Sequence, residues 1–292
     1  MTKICSQIDS YSSNLWFLCD FTPTKDRAAS SLVQSQYINC DLISVAYAPG
    51  RLARSDSLSM GYFIKERYGK NVVVTIATRD MNKLAIQSQL LGADMLGLEN
   101  ILVVAGDDFN SHELKSVKKV RDFSTTELIA SIRDMNKGYD YRGYSIGRPT
   151  NFCIGATINF SRGMMDEVLL TCNKRLAGAE FFVTEPVFEL DSINNFMGLY
   201  NEAMTESMCN RTFVGLQMLG TRDLVFGTMP EGLQKDLHNG RDPMDISMEL
   251  LEGLIGMGWK RIYLLPPILD GGKRDYEAAN MLIDFGHGLM VG

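Results

Sequence analysis

The chain has 292 residues, of which 45% are hydrophobic and 22% are charged, and its formal net charge is −6. This composition is typical of a globular protein, and the acidic balance argues against a nucleic-acid partner. The sequence shows neither a secretory signal nor an apolar window of membrane-spanning length, so we expect a cytoplasmic protein without a membrane partner.

Eight apolar segments of strand length alternate with segments that carry helical signals. The predicted strands are 15–21, 42–47, 72–77, 101–105, 152–157, 181–185, 212–219 and 261–265. The predicted helices are 25–38, 57–68, 81–91, 126–135, 164–176, 193–208 and 244–257. This alternation predicts an α/β fold, a (β/α)8 TIM barrel that spans residues 1–292 as one domain. An open doubly wound sheet is the alternative, but a Gly-x-Gly-x-x-Gly turn is missing.

Local signals add expectations about helix ends and cysteines. Asp80 is expected to cap the helix after it, and Gly92, Gly178 and Gly258 are expected to end helices in the left-handed conformation. The six cysteines are scattered without a Cys-x-x-Cys pair, so we expect neither a disulfide framework nor a zinc site. The three histidines lack metal-binding spacing, which also argues against a catalytic metal.

Polar residues stand where several predicted strands end. In an α/β barrel this edge carries the chemistry. The candidates are Asp20, Ser44 or Tyr47, Thr75, Asp107, Thr157, Glu185, Gln217 and Tyr263. Any barrel collects polar groups where strands meet loops, so a structural role stays open for each. Asp107 and Glu185 stand out because each directly ends a strongly apolar strand.

Several of these segments resemble the methylenetetrahydrofolate reductase family. The segments are Phe17-Leu-Cys-Asp-Phe-Thr-Pro23, Ile43-Ser-Val-Ala-Tyr47, Asn100-Ile-Leu-Val-Val-Ala-Gly-Asp107, Ala177-Gly-Ala-Glu-Phe-Phe-Val-Thr-Glu-Pro-Val-Phe188 and Arg261-Ile-Tyr-Leu-Leu-Pro-Pro267. The resemblance implies a flavin-dependent oxidoreductase acting on CH–NH bonds, which interconverts 5,10-methylenetetrahydrofolate and 5-methyltetrahydrofolate. It further implies bound FAD, NAD(P)H as electron donor, a homo-oligomer, and a place in one-carbon metabolism and methionine biosynthesis.

The resemblance also assigns roles by matched position. Asp20 stands where the family has its general-acid glutamate, Asp107 matches the aspartate that binds the pterin, and Glu185 replaces a glutamine that contacts it. These three are the implied catalytic residues. The implied FAD-binding positions are Ala46, Thr75, Gly106, Asp107, Thr157 and Lys174. The implied folate-binding positions are Asp107, Glu185, Gln217 and Tyr263.

Two departures keep other functions open. Ala46 replaces a threonine and Ala105 an arginine that serve the flavin in the family. A tetrahydropterin-binding subunit without redox chemistry is therefore one alternative. A folate-dependent methyltransferase on the same barrel is another. The reductase would draw on an electron-transfer partner, whereas the methyltransferase would pass its methyl group to a corrinoid partner.

Overall fold

The computed structural model describes residues 3–8, 14–25, 30–220, 225–226, 229–269 and 272–290. Its eight strands form one closed barrel in sequence order, and every neighbouring pair is parallel. The prediction of a (β/α)8 TIM barrel is confirmed. Among the described residues, no helix has the length and apolar character needed to cross a membrane.

The strands are β1 (Trp16–Phe21), β2 (Leu42–Val45), β3 (Val72–Ala77), β4 (Asn100–Val104), β5 (Cys153–Ile158), β6 (Phe181–Pro186), β7 (Thr212–Gln217) and β8 (Arg261–Leu265). The helices are α1 (Ile4–Gln7), α2 (Ser30–Gln34), α3 (Ser57–Tyr68), α4 (Lys83–Met95), α5 (Thr125–Met135), α6 (Met164–Ala177), α7 (Leu190–Met204), α8 (Glu231–His238), α9 (Pro243–Gly256) and α10 (Tyr276–Leu289). Positions 26–29 of the predicted helix 25–38 lie outside the described residues.

Side chains alternate between two apolar cores along each strand, as the pleat of a strand requires. On β1, Phe17 and Cys19 join the core between the sheet and the surrounding helices. Trp16 and Leu18 join a second core, which also contains Phe181 of β6. This second core fills the inside of the barrel. Because both faces of each strand are covered, the strands read in the sequence as continuous apolar runs.

A disulfide between Cys5 and Cys153 joins α1 to the first residue of β5, at the end of the barrel where the strands begin. The expectation that the chain has no disulfide is therefore wrong. The two cysteines are 148 residues apart with Cα atoms 5.8 Å apart, so the pairing is visible only in the folded chain. Ile4 is fully buried, and its backbone N–H donates to Oδ1 of Asn100 over 2.9 Å. The short helix α1 thus covers the floor of the barrel.

Two of the four predicted helix signals differ from the structure. The side chain of Asn82, and not that of Asp80, caps α4 by accepting from the backbone N–H of Ala85. Gly92 lies within α4, which continues to Met95. Gly178 and Gly258 follow α6 and α9 with φ of 127° and 90°, as predicted. Asp80 lies two residues before the N-cap position, and its carboxylate binds Arg79 instead.

Candidate active site

Asp20 lies on β1 inside the barrel and is only 4% exposed. Its Oδ2 atom accepts from Nη2 of Arg274 over 2.7 Å, and its Oδ1 atom accepts from the hydroxyl of Tyr263 over 3.0 Å. Burial, together with the adjacent Asp20, raises the pKa of Tyr263 well above its ordinary value. Tyr263 therefore stays neutral and donates. Both oxygens of Asp20 are engaged by donors from β8 and the loop after it.

Arg79 follows β3 and is the centre of a second polar cluster. Its guanidinium binds both carboxylate oxygens of Asp80, at 2.6 and 2.7 Å, and donates to the backbone carbonyl of Asp107 over 2.9 Å. The ring of Phe109 lies 4.4 Å from its Cζ atom. Through its bond to Asp107, Arg79 connects the ends of β3 and β4. Tyr47 belongs to the same cluster, and burial together with the neighbouring Asp80 raises its pKa to about 12.

The turn after β4 depends on Gly106. Its φ is +79°, and a β-carbon at this position would lie 3.0 Å from Cβ of Arg79. Only glycine adopts this conformation without strain. The next residue, Asp107, is exposed, and its backbone carbonyl is held by Arg79. The turn therefore presents the Asp107 carboxylate to solvent at the rim of the barrel.

Glu185 lies where the register of β6 against β7 shifts, between Val183 and Pro186. Thr184 fixes this irregularity, because its hydroxyl accepts from the N–H of Gly215 and donates to the carbonyl of Glu185. Such bulges re-aim side chains near active sites. The Glu185 carboxylate accepts from the hydroxyl of Ser161 over 3.2 Å and borders a cavity of about 300 Å³.

Lys174 on α6 is 3% exposed and is turned toward the end of β5. Its ammonium donates to the carbonyl of Thr157 over 2.5 Å and to Oε1 of Glu167 over 3.3 Å. Burial lowers the pKa of Lys174, and the charge of Glu167 opposes that effect. The ammonium group of Lys174 is therefore engaged by Thr157 and Glu167.

Gln217 ends β7 and is 1% exposed. Its side-chain oxygen accepts from the backbone N–H of Phe226 over 2.6 Å. The Phe226 ring lies 5.5 Å from Cζ of Arg274. Phe226 therefore lies between Gln217 at the end of β7 and Arg274 after β8.

The positions implied to bind FAD do not fit that cofactor as a set. Its diphosphate requires cations or free backbone N–H groups. Lys174 is the one cation among the six positions, and it is already paired with Glu167. Ala46 offers no polar side chain, and the space beside Gly106 is filled by Arg79. The Asp107 carboxylate would repel a diphosphate. Of the six positions, only Thr75 and Thr157 then offer a hydroxyl group to bind it.

The structure brings some of the predicted residues together and leaves others apart. It joins Asp20 to Tyr263 and Lys174 to Thr157. Within the described ranges, no hydrogen bond links Asp20, Asp107 and Glu185 to one another.

Sequence reasoning missed Arg79, Ser161, Glu167 and Arg274. Arg79 follows β3 after one intervening residue, Thr78, so the criterion that selected Asp107 could have found it. Arg274 lies in the loop after β8, where no pattern in the sequence marks it.

A comparison with models of protein families shows to which family this chain belongs. The model of methylenetetrahydrofolate reductase matches residues 9–210. The chain belongs to the methylenetetrahydrofolate reductase family. Asp20, Asp107 and Glu185 lie within the matched segment, whereas Gln217 and Tyr263 lie beyond it. No curated protein matches the chain significantly.

Solved structures with the same fold include two of low sequence identity. An uncharacterized protein from Clostridium thermocellum, which binds two copies of 5-methyl-5,6,7,8-tetrahydrofolic acid, is 14% identical with a TM-score of 0.64, over 99% of each chain. DmoA from Hyphomicrobium sulfonivorans is 10% identical with a TM-score of 0.54, over 94% of this chain and 86% of that one. At these identities the likeness concerns the fold alone.

Proposed function

We propose that this member of the methylenetetrahydrofolate reductase family binds a tetrahydrofolate derivative at the mouth of the barrel. The proposed activity is the interconversion of 5,10-methylenetetrahydrofolate and 5-methyltetrahydrofolate. The observation that carries the proposal is the exposed carboxylate of Asp107, which Gly106 and Arg79 fix at the end of β4.

A carboxylate at this position suits a pterin for two reasons. The amino group and the ring N–H on one edge of a pterin are adjacent donors, and an ionised carboxylate accepts from both. Opening of the methylene bridge also produces a cationic iminium, which a nearby fixed anion favours. Asp107 would therefore contribute to both binding and chemistry.

The residues of this chain would bind and orient the folate and stabilise its charge. The family resemblance implies that FAD and NAD(P)H supply the electrons. Because the implied FAD positions do not fit that cofactor as a set, no step of the proposal runs through it.

A second candidate function is folate binding without redox chemistry. The pairing of Lys174 with Glu167 favours it, because this pairing removes the cation that the resemblance assigns to the flavin. The neighbour from Clostridium thermocellum is also described by its binding of 5-methyltetrahydrofolate.

One experiment separates the two candidates. The purified protein is mixed anaerobically with FAD and titrated with 5-methyltetrahydrofolate, while calorimetry measures folate binding in a parallel sample. Bleaching of bound oxidised flavin would support the reductase. Folate binding without any flavin change would favour the non-redox function, and a lack of folate binding would contradict both.

A further inference from the structure

We infer that Glu185, and not Asp20, donates the proton that opens the methylene bridge of the bound folate. The inference rests on the proposed function, since it names a catalytic residue for that reaction. It starts from a difference between two carboxyl groups at the mouth of the barrel: Asp20 is bound to a cation, whereas Glu185 is bound to a neutral hydroxyl.

Both carboxylate oxygens of Asp20 accept hydrogen bonds from other side chains. Arg274 and Tyr263 donate to its two oxygens, and the side chains of Asp20 and Arg274 are each 6% exposed. Releasing Asp20 from this pair would leave the buried guanidinium of Arg274 without its counter-charge, which is costly in a desolvated site. Both oxygens of Asp20 are therefore held by groups of the protein itself, and the side chain keeps the loop after β8 in place.

Glu185 has the surroundings of a group that can hold a proton. Its side-chain hydrogen bond among the described residues is with Ser161, and no described cation lies within ion-pair distance. The bordering cavity has apolar walls from Phe160, Phe188 and Pro230. An apolar wall solvates a neutral carboxyl better than a carboxylate.

Taken together, burial and the surrounding charges favour the protonated form of Glu185. Burial raises the pKa of Glu185, and so does the negative charge of Glu167 on α6. The Ser161 hydroxyl and the charge of Arg162, both in the loop after β5, act in the opposite direction but do not cancel the shift. Glu189 also lines this cavity, but it is not among the groups that shift the pKa of Glu185. A folate lying over Glu185 would displace water and strengthen the effect of burial.

The step itself is a proton transfer coupled to the cleavage of one bond. The bond between the bridge carbon and N10 breaks, its electron pair stays on N10, and the carboxyl of Glu185 gives N10 its proton. The bridge carbon then forms an iminium with N5, and Glu185 is left as a carboxylate. In the direction of 5-methyltetrahydrofolate oxidation, the same carboxylate takes the proton back from N10.

Three variants test this assignment. Glu185→Gln keeps the shape of the side chain and can still form a hydrogen bond with Ser161, but its amide group is not acidic enough to act as a proton donor in catalysis. Glu185→Asp keeps the carboxyl group and shortens the reach. Glu189→Gln is the matched control, because it removes a carboxylate from the same cavity. Turnover of 5,10-methylenetetrahydrofolate is measured against pH with FAD and NAD(P)H added as the electron source, and binding is measured with 5-methyltetrahydrofolate.

The wild type should lose rate as the pH rises through the pKa of Glu185, because reduction requires the protonated form. Glu185→Gln should lose at least about 100-fold in kcat, as expected for a lost general acid, while its Kd for 5-methyltetrahydrofolate changes by less than about threefold. Its remaining rate should lack the pH-dependent limb. Glu185→Asp should recover part of the rate, and Glu189→Gln should behave as the wild type. Wild-type turnover by Glu185→Gln would overturn the inference.

A measurement without turnover keeps the inference separate from the proposed function. Carbon-13 NMR of the glutamate carboxyl groups, compared between the wild type and Glu185→Gln, identifies the resonance of Glu185. We expect its pKa to lie above that of a free glutamate when 5-methyltetrahydrofolate is bound. A titration at or below the free value contradicts the inference even if the enzyme is active. A protein that binds no folate contradicts the proposed function instead.

Discussion

Nη2 of Arg274 lies 2.7 Å from Oδ2 of Asp20, although the two residues are 254 positions apart in the sequence. Asp20 belongs to β1 and Arg274 follows β8, and these two strands are neighbours in the closed barrel. The pair therefore fastens the loop after the last strand to the first strand. Arg274 also donates to the carbonyl of Pro266, so the same side chain shapes its own loop.

Replacing Arg274 should destabilise the protein strongly. Arg274→Ala leaves the Asp20 carboxylate buried without a cation, and breaking a buried pair in this way costs about 3–5 kcal/mol. Urea unfolding measures the loss. Arg241→Ala is the control, because its pairs with Asp236 and Glu249 lie at the surface, where ion pairs contribute little to stability. Equal losses in the two variants would contradict the assigned role of the Asp20–Arg274 pair.

Removing the carboxylate of Asp107 should impair folate binding and turnover without unfolding the chain. A hydrogen bond to a charged group contributes about 1.5–3 kcal/mol, so Asp107→Ala should weaken binding of 5-methyltetrahydrofolate roughly 10- to 150-fold. Calorimetry checks the affinity, and circular dichroism checks the fold. Asp108→Ala is the neighbouring control, since Asp108 pairs with Lys119 and Arg121 on the surface. Unchanged turnover in Asp107→Ala would refute the role of Asp107.

Replacing two glycines by alanine should change the free energy of unfolding in opposite directions. A β-carbon on Gly155 of β5 would overlap the ring of Phe181, which fills the inside of the barrel. Overpacking of this kind costs about 1–3 kcal/mol, so Gly155→Ala should lower the free energy of unfolding. Gly198 lies within α7 with no atom near its missing side chain, and Gly198→Ala should raise stability by up to about 1 kcal/mol. Thermal unfolding of both variants checks the difference in sign.

The disulfide between Cys5 and Cys153 should make stability depend on redox conditions. Loss of a native disulfide typically costs about 2–5 kcal/mol, and this one closes a loop of 148 residues. The wild type should therefore unfold at lower urea concentration after reduction, whereas Cys5→Ser should unfold at that lower concentration with or without reductant. Cys209→Ser, which removes an exposed free thiol, should behave as the wild type. An unreduced wild type with six reactive thiols would exclude the disulfide.

The accuracy of the sequence-based predictions depended on how local each signal is. Strands β3 and β8 have the predicted bounds because a strand buried on both faces must be apolar throughout. The cap at Asp80 was predicted wrongly because α4 begins at Lys83, which places Asn82 at the N-cap, while the Asp80 carboxylate binds Arg79. Gly92 was taken as a helix end, but α4 continues past it to Met95.

The sequence by itself determined that this chain forms a parallel (β/α)8 barrel of the methylenetetrahydrofolate reductase family, and that Asp107 follows an apolar strand. These features reside in contiguous segments, where hydrophobic pattern and short motifs carry the information. Only the tertiary structure decided that Asp20 is bound to Arg274, that Lys174 is bound to Glu167, and that Cys5 meets Cys153. Closure of the barrel brings strand ends and loops together, so the partner of a charge or thiol depends on three-dimensional packing.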